Sequence, residues 1–595
     1  MELTRTFDIL DLHENVFKKT DALGCKKNGE WITFSSQEYV KNANLVSYGL
    51  LAMGLKKGDM VATISNNRPE WNFVDMGMSQ IGVVHVPIYP TISREDYSYI
   101  LDHCQPKILI ISDKLLLAKI KPVFEELKKI NHLFTFNEID GERNWAEIVE
   151  LGEKNEEKYR VEVEKIKAGI KPDEMATLIY TSGTTGNPKG VMLSHKNIMT
   201  NARSAGSIHP FNQNHRTLSF LPLCHVFERM VNYHFQSKGI SIYYAENLGT
   251  IADNLKEIKP HVFISVPRLI ERVFDRIVGI GKDLPGIKKR IFFWALNLGH
   301  KFDYNKKHSS IYRSQLNLAR KLVFKKWQEA LGGNCGLIIV GGAALQPRLS
   351  RVFGAAGVPV LEGYGLTETS PVIAANNIVT GDIMVGTVGP LFEDVEVKIA
   401  SDGEILCKGP NIMLGYYKEP ELTKETIDED GWLHTGDIGI MIDNKYLKIT
   451  DRKKEMFKLS SGKYIAPQVI ENKFKESFFI EQLMVVGENQ KFASALISPN
   501  FPFLHNWASI HKVKFRDNEE LINNPVVIAR FQKEVSNMNK QLGQTEHIKR
   551  FRLVKEEWTP QTGELSPTLK LRRKVLHDKY ADILNEIYMQ NNGED

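Results

Sequence analysis

The feature that most restricts how this 595-residue chain can fold is the segment TLIYTSGTTGNPKGVMLSH, residues 177–195. Its middle, Thr181–Gly190, is rich in glycine, threonine and serine, and apolar runs lie on both sides. Glycine permits positive φ and close backbone approach, so successive N–H groups can point at one anion, to which Lys189 adds a positive charge. The segment therefore predicts a polyphosphate-binding loop between two strands. An ordinary polar turn is the alternative, and the Walker A pattern is not matched because Pro188 replaces its second glycine.

Short β-rich runs alternate with helical patterns in the first part of the chain. They are GDMVATISNN, GVVHVPIYP and KILIIS, at 58–67, 82–90 and 107–112. Such alternation predicts helices packed on a largely parallel sheet. From residue 381 glycine-punctuated β segments follow, and after Lys454 a smaller α/β pattern begins. We therefore expect an α/β protein with a large multi-layer N-terminal domain of mostly parallel sheets and a β subdomain, residues 1–451, and a small mobile C-terminal α+β domain, residues 452–595.

The composition is that of an ordinary globular protein, with 42% apolar and 25% charged residues. A net charge of +5 is too small to indicate nucleic-acid binding, and no nucleic-acid partner is expected. Five cysteines without C-x-x-C spacing argue against a structural zinc site or a disulfide framework. The sequence shows no secretory-signal pattern and no run of about 18 apolar residues. We expect a cytoplasmic protein whose membrane contact, if any, is peripheral and at the inner face.

A second glycine-rich turn, in LEGYGLTETSP (361–371), presents Tyr364, Thr367 and Glu368. An aromatic ring beside such a turn can stack on a purine. A carboxylate there can bind Mg²⁺, with phosphate oxygens completing the coordination shell. Taken alone, the segment is equally consistent with a tyrosine that packs in a core turn and a solvated glutamate that binds no ion.

Together, TSGTTGNPKG and YGLTET resemble motifs of the adenylate-forming superfamily, which includes acyl-CoA synthetases, peptide-synthetase adenylation domains and luciferases. The resemblance implies that Tyr364 contacts adenine and Thr367 the α-phosphate. It implies that Glu368 and Thr184 are catalytic residues and ligands of Mg²⁺. The residues that it implies in ATP binding are Thr181, Ser182, Gly183, Thr184, Thr185, Gly186, Lys189, Tyr364, Gly365 and Thr367.

Two later segments resemble the ribose and coenzyme A motifs of the same superfamily. Asp437, in GWLHTGDIG, and Arg452, in DRKKE, are implied as ribose contacts, and two carboxylate oxygens suit two ribose hydroxyls. An ordinary turn aspartate is the alternative. By the same resemblance Lys454 is the hinge of a domain rotation, and Gly462 lets the backbone approach the thiol arm of coenzyme A.

The segment TGELSPTLKLRRKVL (562–576) carries Lys570, which matches the catalytic lysine of the family. The attacking carboxylate and the α-phosphate are both anionic, so their approach needs a cation between them. The neighbouring basic residues are expected on a solvated face or at the coenzyme A phosphates. They are Arg572, Arg573 and Lys574.

Two further segments, LPLCHVFER and VGGAAL, carry weaker signals. In an unrelated chain His225 would be a packed core histidine. The resemblance instead implies a catalytic position beside the substrate carboxylate and the thiol entry. It also implies that Gly341, Gly342 and Ala343 line an acyl tunnel, where small side chains leave room for a hydrocarbon chain.

The segment FISVPRLIERVFDRIVG and the helical stretch after it resemble the long-chain fatty acyl-CoA synthetase branch. Residues 281–330 hold twelve Lys and Arg against three Asp and Glu. Apolar residues interleave with them, so the stretch could lie on an anionic membrane. A helix packed on the core with a solvated basic rim is the favoured alternative. The apolar residues are Ile291, Phe292, Phe293, Trp294, Leu296 and Leu298.

The expected activity is ATP-dependent conversion of long-chain fatty acids to acyl-CoA through an acyl adenylate, with Mg²⁺, ATP and coenzyme A required. A fatty acyl-AMP ligase that serves a carrier protein, a luciferase and a non-catalytic sensor are the alternatives. The SSGKYIAP turn favours coenzyme A, and the presence of Lys570 and Glu368 argues against a sensor. A phosphotransferase is disfavoured because kinase signatures are missing. The preferred chain length and a homodimeric state are left open.

Overall fold

The computed structural model describes residues 3–181, 187–559, 562–566 and 569–589. The chain divides into two compact units. The large unit comprises Met1–Lys398, Leu406–His434 and Ile442–Leu447. The small unit comprises Ile399–Ile405, Thr435–Met441 and Lys448–Asp595.

Strands and helices alternate along most of the described chain. The strands are β1 Leu23–Lys27, β2 Glu30–Phe34, β3 Met60–Ile64, β4 Val84–Ile88, β5 Ile108–Ile111, β6 His132–Thr135, β7 Met175–Thr181, β8 Lys189–Ser194, β9 Arg216–Ser219, β10 Ser241–Tyr244, β11 Val262–Ser265, β12 Leu337–Val340, β13 Val360–Gly365, β14 Val372–Ala375, β15 Glu396–Ile399, β16 Glu404–Lys408, β17 Gly415–Tyr416, β18 Leu433–Ile442, β19 Tyr446–Arg452, β20 Phe457–Lys458, β21 Tyr464–Ile465, β22 Ile480–Val486, β23 Ser494–Pro499 and β24 Arg550–Leu553. The helices are α1 Asp8–Leu12, α2 Ser36–Ala52, α3 Pro69–Gln80, α4 Arg94–Cys104, α5 Lys114–Leu127, α6 Ala146–Lys154, α7 Glu156–Gly169, α8 His195–Ala205, α9 Val226–Ser237, α10 Ile251–Ile258, α11 Pro267–Asp283, α12 Gly286–His300, α13 Ser310–Ala319, α14 Lys325–Ala330, α15 Pro347–Ala356, α16 Pro420–Thr426, α17 Pro467–Phe474, α18 Phe501–Ile510, α19 Asn518–Ile522, α20 Pro525–Asn539, α21 Arg573–Lys579 and α22 Ala581–Met589.

Two large sheets lie at the centre of the large unit. One has eight strands in the order β14-β13-β12-β11-β9-β10-β1-β2, and the other has seven in the order β17-β8-β7-β4-β3-β5-β6. Most neighbouring strands are parallel, including the three β-rich runs near the N-terminus, which form β3, β4 and β5. All residues of β5 are buried, as is typical of parallel strands covered on both faces. The mostly parallel sheets confirm the expected α/β class.

A buried charged cluster fastens α9 to the seven-stranded sheet. Asp75 on α3 accepts hydrogen bonds from Arg229 Nη2 and from the Tyr233 hydroxyl on α9, both at 2.5 Å. It also lies 2.6 Å from Nδ1 of His85 on β4, and Arg229 donates to the Thr177 hydroxyl on β7. Burial alone would raise the pKa of Asp75, but the Arg229 guanidinium holds it at about 2. Because buried charges must be paired, the cluster fixes α9 relative to β7, the strand that enters the phosphate loop.

The basic helical stretch packs on the core through α12. Phe292, Leu296 and Leu298 are buried, and α12 contacts α13 and α15. The outer face carries the basic run KKR at 288–290 and exposed apolar residues such as Ile287. The stretch therefore packs on the core through α12 and carries a basic rim on its outer face. Within the described ranges, we find no helix that combines the length and the apolar character needed to cross a bilayer.

The small unit is an α+β fold around a three-stranded sheet. β22 pairs antiparallel with β23, which pairs parallel with β24. Ile470 of α17, Leu504 of α18 and Phe531 of α20 belong to the apolar core on this sheet. β20 and β21 form a separate two-stranded antiparallel pair. The expected α+β class of the C-terminal region is thereby confirmed.

Candidate active site

Paired strands flank the phosphate loop, residues 181–190. β7 and β8 are antiparallel neighbours, and Thr181 lies opposite Lys189. The sheet therefore fixes both ends of the loop. The predicted phosphate contacts that lie outside the described residues are Ser182, Gly183, Thr184, Thr185 and Gly186.

Lys189 and Glu368 both contact Tyr416. The two-residue strand β17 pairs with β8 and places Tyr416 opposite Val191. The Lys189 ammonium lies 5.3 Å from the centre of the Tyr416 ring, within cation–π range. The Tyr416 hydroxyl donates to Oε1 of Glu368 at 2.8 Å. The structure thus brings the predicted phosphate-binding lysine and the predicted metal-binding carboxylate to one tyrosine.

Glu368 fits the role of a protein ligand to Mg²⁺. Its half-buried side chain projects from the short 3₁₀ turn Thr367–Thr369. Oxygen Oε2 has no hydrogen-bond partner within the part of the chain that the structure describes. Mg²⁺ is usually bound through one or two carboxylates together with substrate phosphates, so one available carboxylate oxygen suits this ion. The second predicted ligand, Thr184, lies outside the described residues.

The predicted adenine motif lies at an irregular strand end. The register between β13 and β14 shifts between Tyr364 and Gly365. A Cβ atom at Gly365 would lie 1.7 Å from the carbonyl oxygen of Pro371, so only glycine permits this approach. Such irregularities turn a strand and redirect its side chains. Tyr364, Thr367 and Glu368 therefore lie within one short, half-buried turn.

The GGA loop, residues 341–343, is anchored to the strand that carries the adenine motif. The N–H of Leu345 donates to Oε1 of Glu362 at 2.9 Å. Burial raises the pKa of Glu362 to about 8, so this carboxyl is largely protonated at neutral pH. Gly342 has a φ of +83°, the left-handed region that glycine tolerates best. Glu362 thus holds together two segments that the sequence assigned to acyl and adenine binding.

His225 lies at the start of α9. Its Nδ1 accepts the N–H of Phe227 at 3.1 Å and caps the helix. The ring of Phe227 in turn packs on the GGA loop, because a Cβ atom at Gly341 would lie only 3.2 Å from it. The predicted His225 and the predicted acyl-lining Gly341 are therefore neighbours across one phenylalanine.

Sequence reasoning missed Tyr416 and Glu362. Glu362 lies inside the motif LEGYGLTETSP, but a single acidic residue before a glycine has no distinctive pattern. Tyr416 is more than two hundred residues from the phosphate loop in sequence, and only the pairing of β17 with β8 brings it there. The one usable signal was the GYY run within the glycine-punctuated region.

In the small unit, the two predicted ribose contacts are adjacent. Nε of Arg452 lies 3.2 Å from Oδ1 of Asp437, whose residue is 7% exposed. The N–H of Lys453 donates to the carbonyl of Gly436 at 2.8 Å, which joins the two motif segments. The Lys453 ammonium also lies 2.7 Å from Oε2 of Glu404. A guanidinium thus holds the largely buried Asp437 carboxylate.

The predicted hinge and coenzyme A residues lie at exposed positions of the small unit. Lys454 is in the turn that follows β19. Gly462 is in the turn between β20 and β21, with its N–H bonded to the carbonyl of Leu459 at 2.8 Å. Both side-chain positions face solvent within this unit.

Lys570 is exposed in a turn that Ser566 closes. The N–H of Lys570 bonds to Oγ of Ser566 at 3.1 Å, and the N–H of Ser566 bonds to the carbonyl of Lys570 at 2.8 Å. Leu569 has a φ of +61°, which is rare for a bulky residue. The residue directly before Lys570 is therefore held in a strained backbone conformation. Pro567 and Thr568, the start of the PTLK motif, lie outside the described residues.

Arg573 contradicts the expectation of a fully solvated basic face. Its Nη2 lies 2.8 Å from both carboxylate oxygens of Glu471, and its Nε lies 3.0 Å from Glu455. Glu471 is 4% exposed, so its charge needs a close partner. The prediction for Arg573 is therefore wrong, whereas Arg572 and Lys574 are exposed as expected.

Comparison with protein-family models supports a single family over both parts of the chain. Residues 12–417 match the AMP-binding enzyme model. Residues 454–592 match the AMP-binding enzyme C-terminal domain model.

Related proteins match over nearly the whole chain. A peroxisomal long chain acyl-CoA synthetase of Arabidopsis thaliana is 31% identical, over 99% of this chain and 87% of its own. A long-chain-fatty-acid–CoA ligase of Mycobacterium bovis is 31% identical, over 94% of this chain and 93% of its own. The fold is shared with the crystallised adenylation domain of a carboxylate reductase from Mycobacterium chelonae. That comparison has a TM-score of 0.75 and 21% identity, over 98% of this chain and 91% of that domain. The chain belongs to the AMP-binding enzyme family.

Proposed function

We propose that this protein activates long-chain fatty acids: it joins the acid to coenzyme A in an ATP-dependent reaction that passes through an acyl adenylate and releases AMP and pyrophosphate. The observation that carries the proposal is the likeness, at 31% identity over nearly the whole chain, to proteins named long-chain acyl-CoA synthetase and ligase. The assembly of Lys189, Tyr416 and Glu368 supports it.

In the first half-reaction, a carboxylate oxygen of the fatty acid attacks the α-phosphorus of ATP, and the bond to pyrophosphate breaks. The phosphate loop and Lys189 bind the departing phosphates. Lys570 lies between the two reacting anions and reduces their repulsion. Positioning and fixed charges supply most of the acceleration in such transfers.

Glu368 would hold the Mg²⁺ ion through Oε2, the oxygen that Tyr416 does not engage. When bound, the ion neutralises negative charge on the phosphates of the leaving group. The hydrogen bond from Tyr416 holds the carboxylate through Oε1 and leaves Oε2 for the ion. Tyr364 stacks on adenine, and Asp437 with Arg452 binds the ribose.

In the second half-reaction, the thiol of coenzyme A attacks the acyl carbonyl, and AMP leaves with one oxygen of the original carboxylate. The C-terminal domain, residues 452–595, turns about Lys454 between the two steps. This rotation withdraws Lys570 and brings Gly462 to the thiol arm. The N-terminal domain, residues 1–451, keeps the adenylate and the acyl chain.

A fatty acyl-AMP ligase shares the first half-reaction but transfers the acyl group to a carrier protein. The relatives that match nearly the whole chain are named as acyl-CoA synthetases and ligases, so this alternative is not favoured.

Product analysis by mass spectrometry tests the proposal. The purified chain receives MgATP, coenzyme A and an equimolar mixture of fatty acids from C6 to C20. We expect acyl-CoA that is most abundant at C14–C18, with one AMP released for each acyl-CoA. Accumulation of acyl-AMP without acyl-CoA would contradict the coenzyme A step and favour the carrier-protein alternative.

We also propose that the basic outer face of α12 and α13 contacts anionic membranes, where fatty acids partition. Ile287, which directly precedes the basic run at 288–290, and Ile311 on α13 are each 73% exposed. Apolar side chains among lysines and arginines suit an anionic lipid surface. Co-sedimentation with phosphatidylserine vesicles should be stronger than with phosphatidylcholine vesicles. Glutamate at residues 288–290 should abolish the difference, and equal binding to both vesicles would contradict the contact.

A further inference from the structure

The Lys570 turn, residues 564–572, is closed by hydrogen bonds between its own residues. The N–H of Arg572 donates to the carbonyl of Glu564 at 2.8 Å, and two further bonds join Ser566 to Lys570. These bonds fix the shape of the turn. Because both partners of each bond belong to the turn, they do not determine where it lies in the small unit. Its position depends on contacts with other segments.

Arg573, the residue directly after this turn, connects it to the predicted hinge. Its Nε donates to Oε2 of Glu455 at 3.0 Å, although the two residues are 118 positions apart in the sequence. Glu455 directly follows Lys454, and its N–H bonds to the carbonyl of Arg452 at 2.9 Å. It therefore belongs to the hinge segment, residues 452–455. One ion pair thus joins the residue after the hinge to the residue after the Lys570 turn.

Both partners of this ion pair are also held by other groups. Nη2 of Arg573 bonds to both oxygens of Glu471, and Oε1 of Glu471 accepts the N–H of Val485 at 2.8 Å. Nε2 of Gln468 donates to Oε2 of Glu455 at 3.2 Å. The guanidinium and the carboxylate are therefore oriented by α17 and β22, and their contact is more constrained than that of two mobile surface side chains.

Glu455 is not needed to compensate the buried charge of Glu471. Glu471 already offers two oxygens to Arg573, so this pair alone balances its charge. Burial would raise the pKa of Glu455, but the Arg573 guanidinium brings it below its ordinary value, so Glu455 is ionised at neutral pH. The Glu455 side chain is only 17% exposed, so solvent screens its charge only in part. The second carboxylate therefore adds a link between segments.

We propose that Glu455 and Arg573 are positioning residues, which fix the Lys570 turn to the hinge segment so that Lys570 reaches one defined place when the C-terminal domain turns about Lys454. This inference rests on the proposed function. Neither residue touches the reacting groups, and both act through Lys570. A fixed charge stabilises a reaction only when it is already in place. Loosening the link should therefore slow adenylate formation and spare thioester formation.

A variant at the hinge end breaks the link and keeps the buried ion pair. Glu455→Ala removes the carboxylate next to the hinge, whereas Arg573 and Glu471 stay paired, so the small unit should remain folded. Glu476→Ala is the matched control. It removes an ion pair with Lys473 that has the same length, 3.0 Å, and similar exposure, 24% and 20%, but connects neighbouring residues at the end of α17.

Rapid-quench assays give the rate of each half-reaction. Glu455→Ala should slow adenylate formation by about 10- to 100-fold and leave thioester formation from preformed acyl adenylate nearly unchanged. Glu455→Gln keeps an oxygen that can accept from Nε of Arg573, so it should recover part of the lost rate. Glu476→Ala should change neither rate.

A second comparison separates positioning from a general structural effect. In protein that already carries Lys570→Ala, the further change Glu455→Ala should not slow adenylate formation again, because Glu455 acts only through Lys570. A structural effect would lower the rate by the same factor in both backgrounds.

Three results would overturn the inference while leaving the proposed function intact. They are an unchanged rate of adenylate formation in Glu455→Ala, equal losses in both half-reactions, and the same loss with and without Lys570. If Glu455→Ala does not fold, Arg573→Lys is judged by the same criteria, because one ammonium cannot reproduce the bonds of a guanidinium to two carboxylates. If the wild-type protein forms acyl-CoA from no fatty acid, the proposed function fails and the inference falls with it.

Discussion

The two units hold their candidate site residues in different ways. In the large unit, Glu368 is bonded to Tyr416, and Gly365 allows a backbone contact that no other residue permits. In the small unit, Lys454, Gly462 and Lys570 lie on exposed turns. Rigid elements position a site, whereas surface turns can exchange partners. The large unit is thus suited to hold the phosphates and the adenine throughout. The small unit, which also carries Asp437 and Arg452, is suited to deliver different groups in turn.

The units also differ in the ionisable groups that they bury. The large unit buries five histidines, whereas every described histidine of the small unit is at least partly exposed. Both units bury carboxyls, such as Glu362 in the large unit and Asp451 in the small unit, and Oδ2 of Asp451 has no partner within the described ranges. The buried histidines are His13, His85, His195, His209 and His234. The buried histidines therefore distinguish the pH response of the large unit from that of the small unit.

The largest expected effect is loss of stability of the large unit in acid. Burial lowers the pKa of His13, His195 and His209 to about 4, so the folded state keeps them neutral. The unfolded chain binds their protons below about pH 6.5, so their contribution is present above 6.5 and is lost as the pH falls towards 4. Since each shift is worth up to about 3 kcal/mol, the total is several kcal/mol. Calorimetry should show Tm falling between pH 6.5 and 4, where the buried histidines outnumber the buried Glu228 and Glu362, whose pKa values, raised to about 8, act in the opposite direction. A flat profile in this range would contradict the prediction.

The second prediction concerns the charged cluster that fastens α9 to the sheet. Arg229→Met leaves Asp75 buried without its cation and should lower the free energy of unfolding by about 3–5 kcal/mol. Arg94→Met, which removes an exposed ion pair with Glu126, is the matched control and should have little effect. Urea denaturation, followed by tryptophan fluorescence, measures the free energy of unfolding of both variants. Equal effects would mean that the cluster does not fix the large unit.

The third prediction separates the roles of the two units in catalysis. Lys570→Ala should slow adenylate formation by about 100- to 1,000-fold, because no other group replaces its charge between the anions. Thioester formation from preformed acyl adenylate should change only a few-fold. Lys574→Ala, an exposed neighbour, should affect neither step. Rapid-quench assays measure the rate of each half-reaction. Equal losses in both rates would show that the small unit does not supply Lys570 to the first step alone.

The smallest effect is expected at Asp451. Burial and the nearby Glu455 and Glu471 raise its pKa to about 7, so its contribution to stability is present below about pH 4 and is lost as the pH rises through 7. Asp451→Asn should therefore stabilise the small unit by about 1–3 kcal/mol at pH 8 and have little effect at pH 4. Hydrogen exchange of the 448–595 segment at the two pH values tests this sign. Destabilisation at pH 8 would show that the ionised carboxylate is needed.

Local patterns in the sequence predicted much of the fold. The three N-terminal β-rich runs became β3, β4 and β5 because continuous apolar runs bounded by turn residues specify buried strands without help from distant residues. The α/β class follows from their alternation with helices. The ion pairs of Arg573 could not be predicted in this way, because its partners Glu455 and Glu471 are about a hundred residues away.

The candidate site likewise combines residues of local motifs with residues that distant parts of the chain bring in. Gly365 and Glu368 belong to a compact motif whose chemistry is visible in a few consecutive residues. Tyr416 acquires its partners Lys189 and Glu368 only through the pairing of β17 with β8. Local motifs thus indicate which reaction is supported, while long-range packing determines how its groups are held.

Isotope transfer from the fatty acid tests the central claim most directly. A fatty acid with ¹⁸O in both carboxylate oxygens is converted with MgATP and coenzyme A, and the nucleotide product is analysed by mass spectrometry. Attack of the carboxylate on the α-phosphorus places one of these oxygens in AMP, so we predict that each AMP carries one ¹⁸O atom and that ADP is not formed. Unlabelled AMP, or ADP with labelled phosphate, would contradict an acyl-adenylate intermediate.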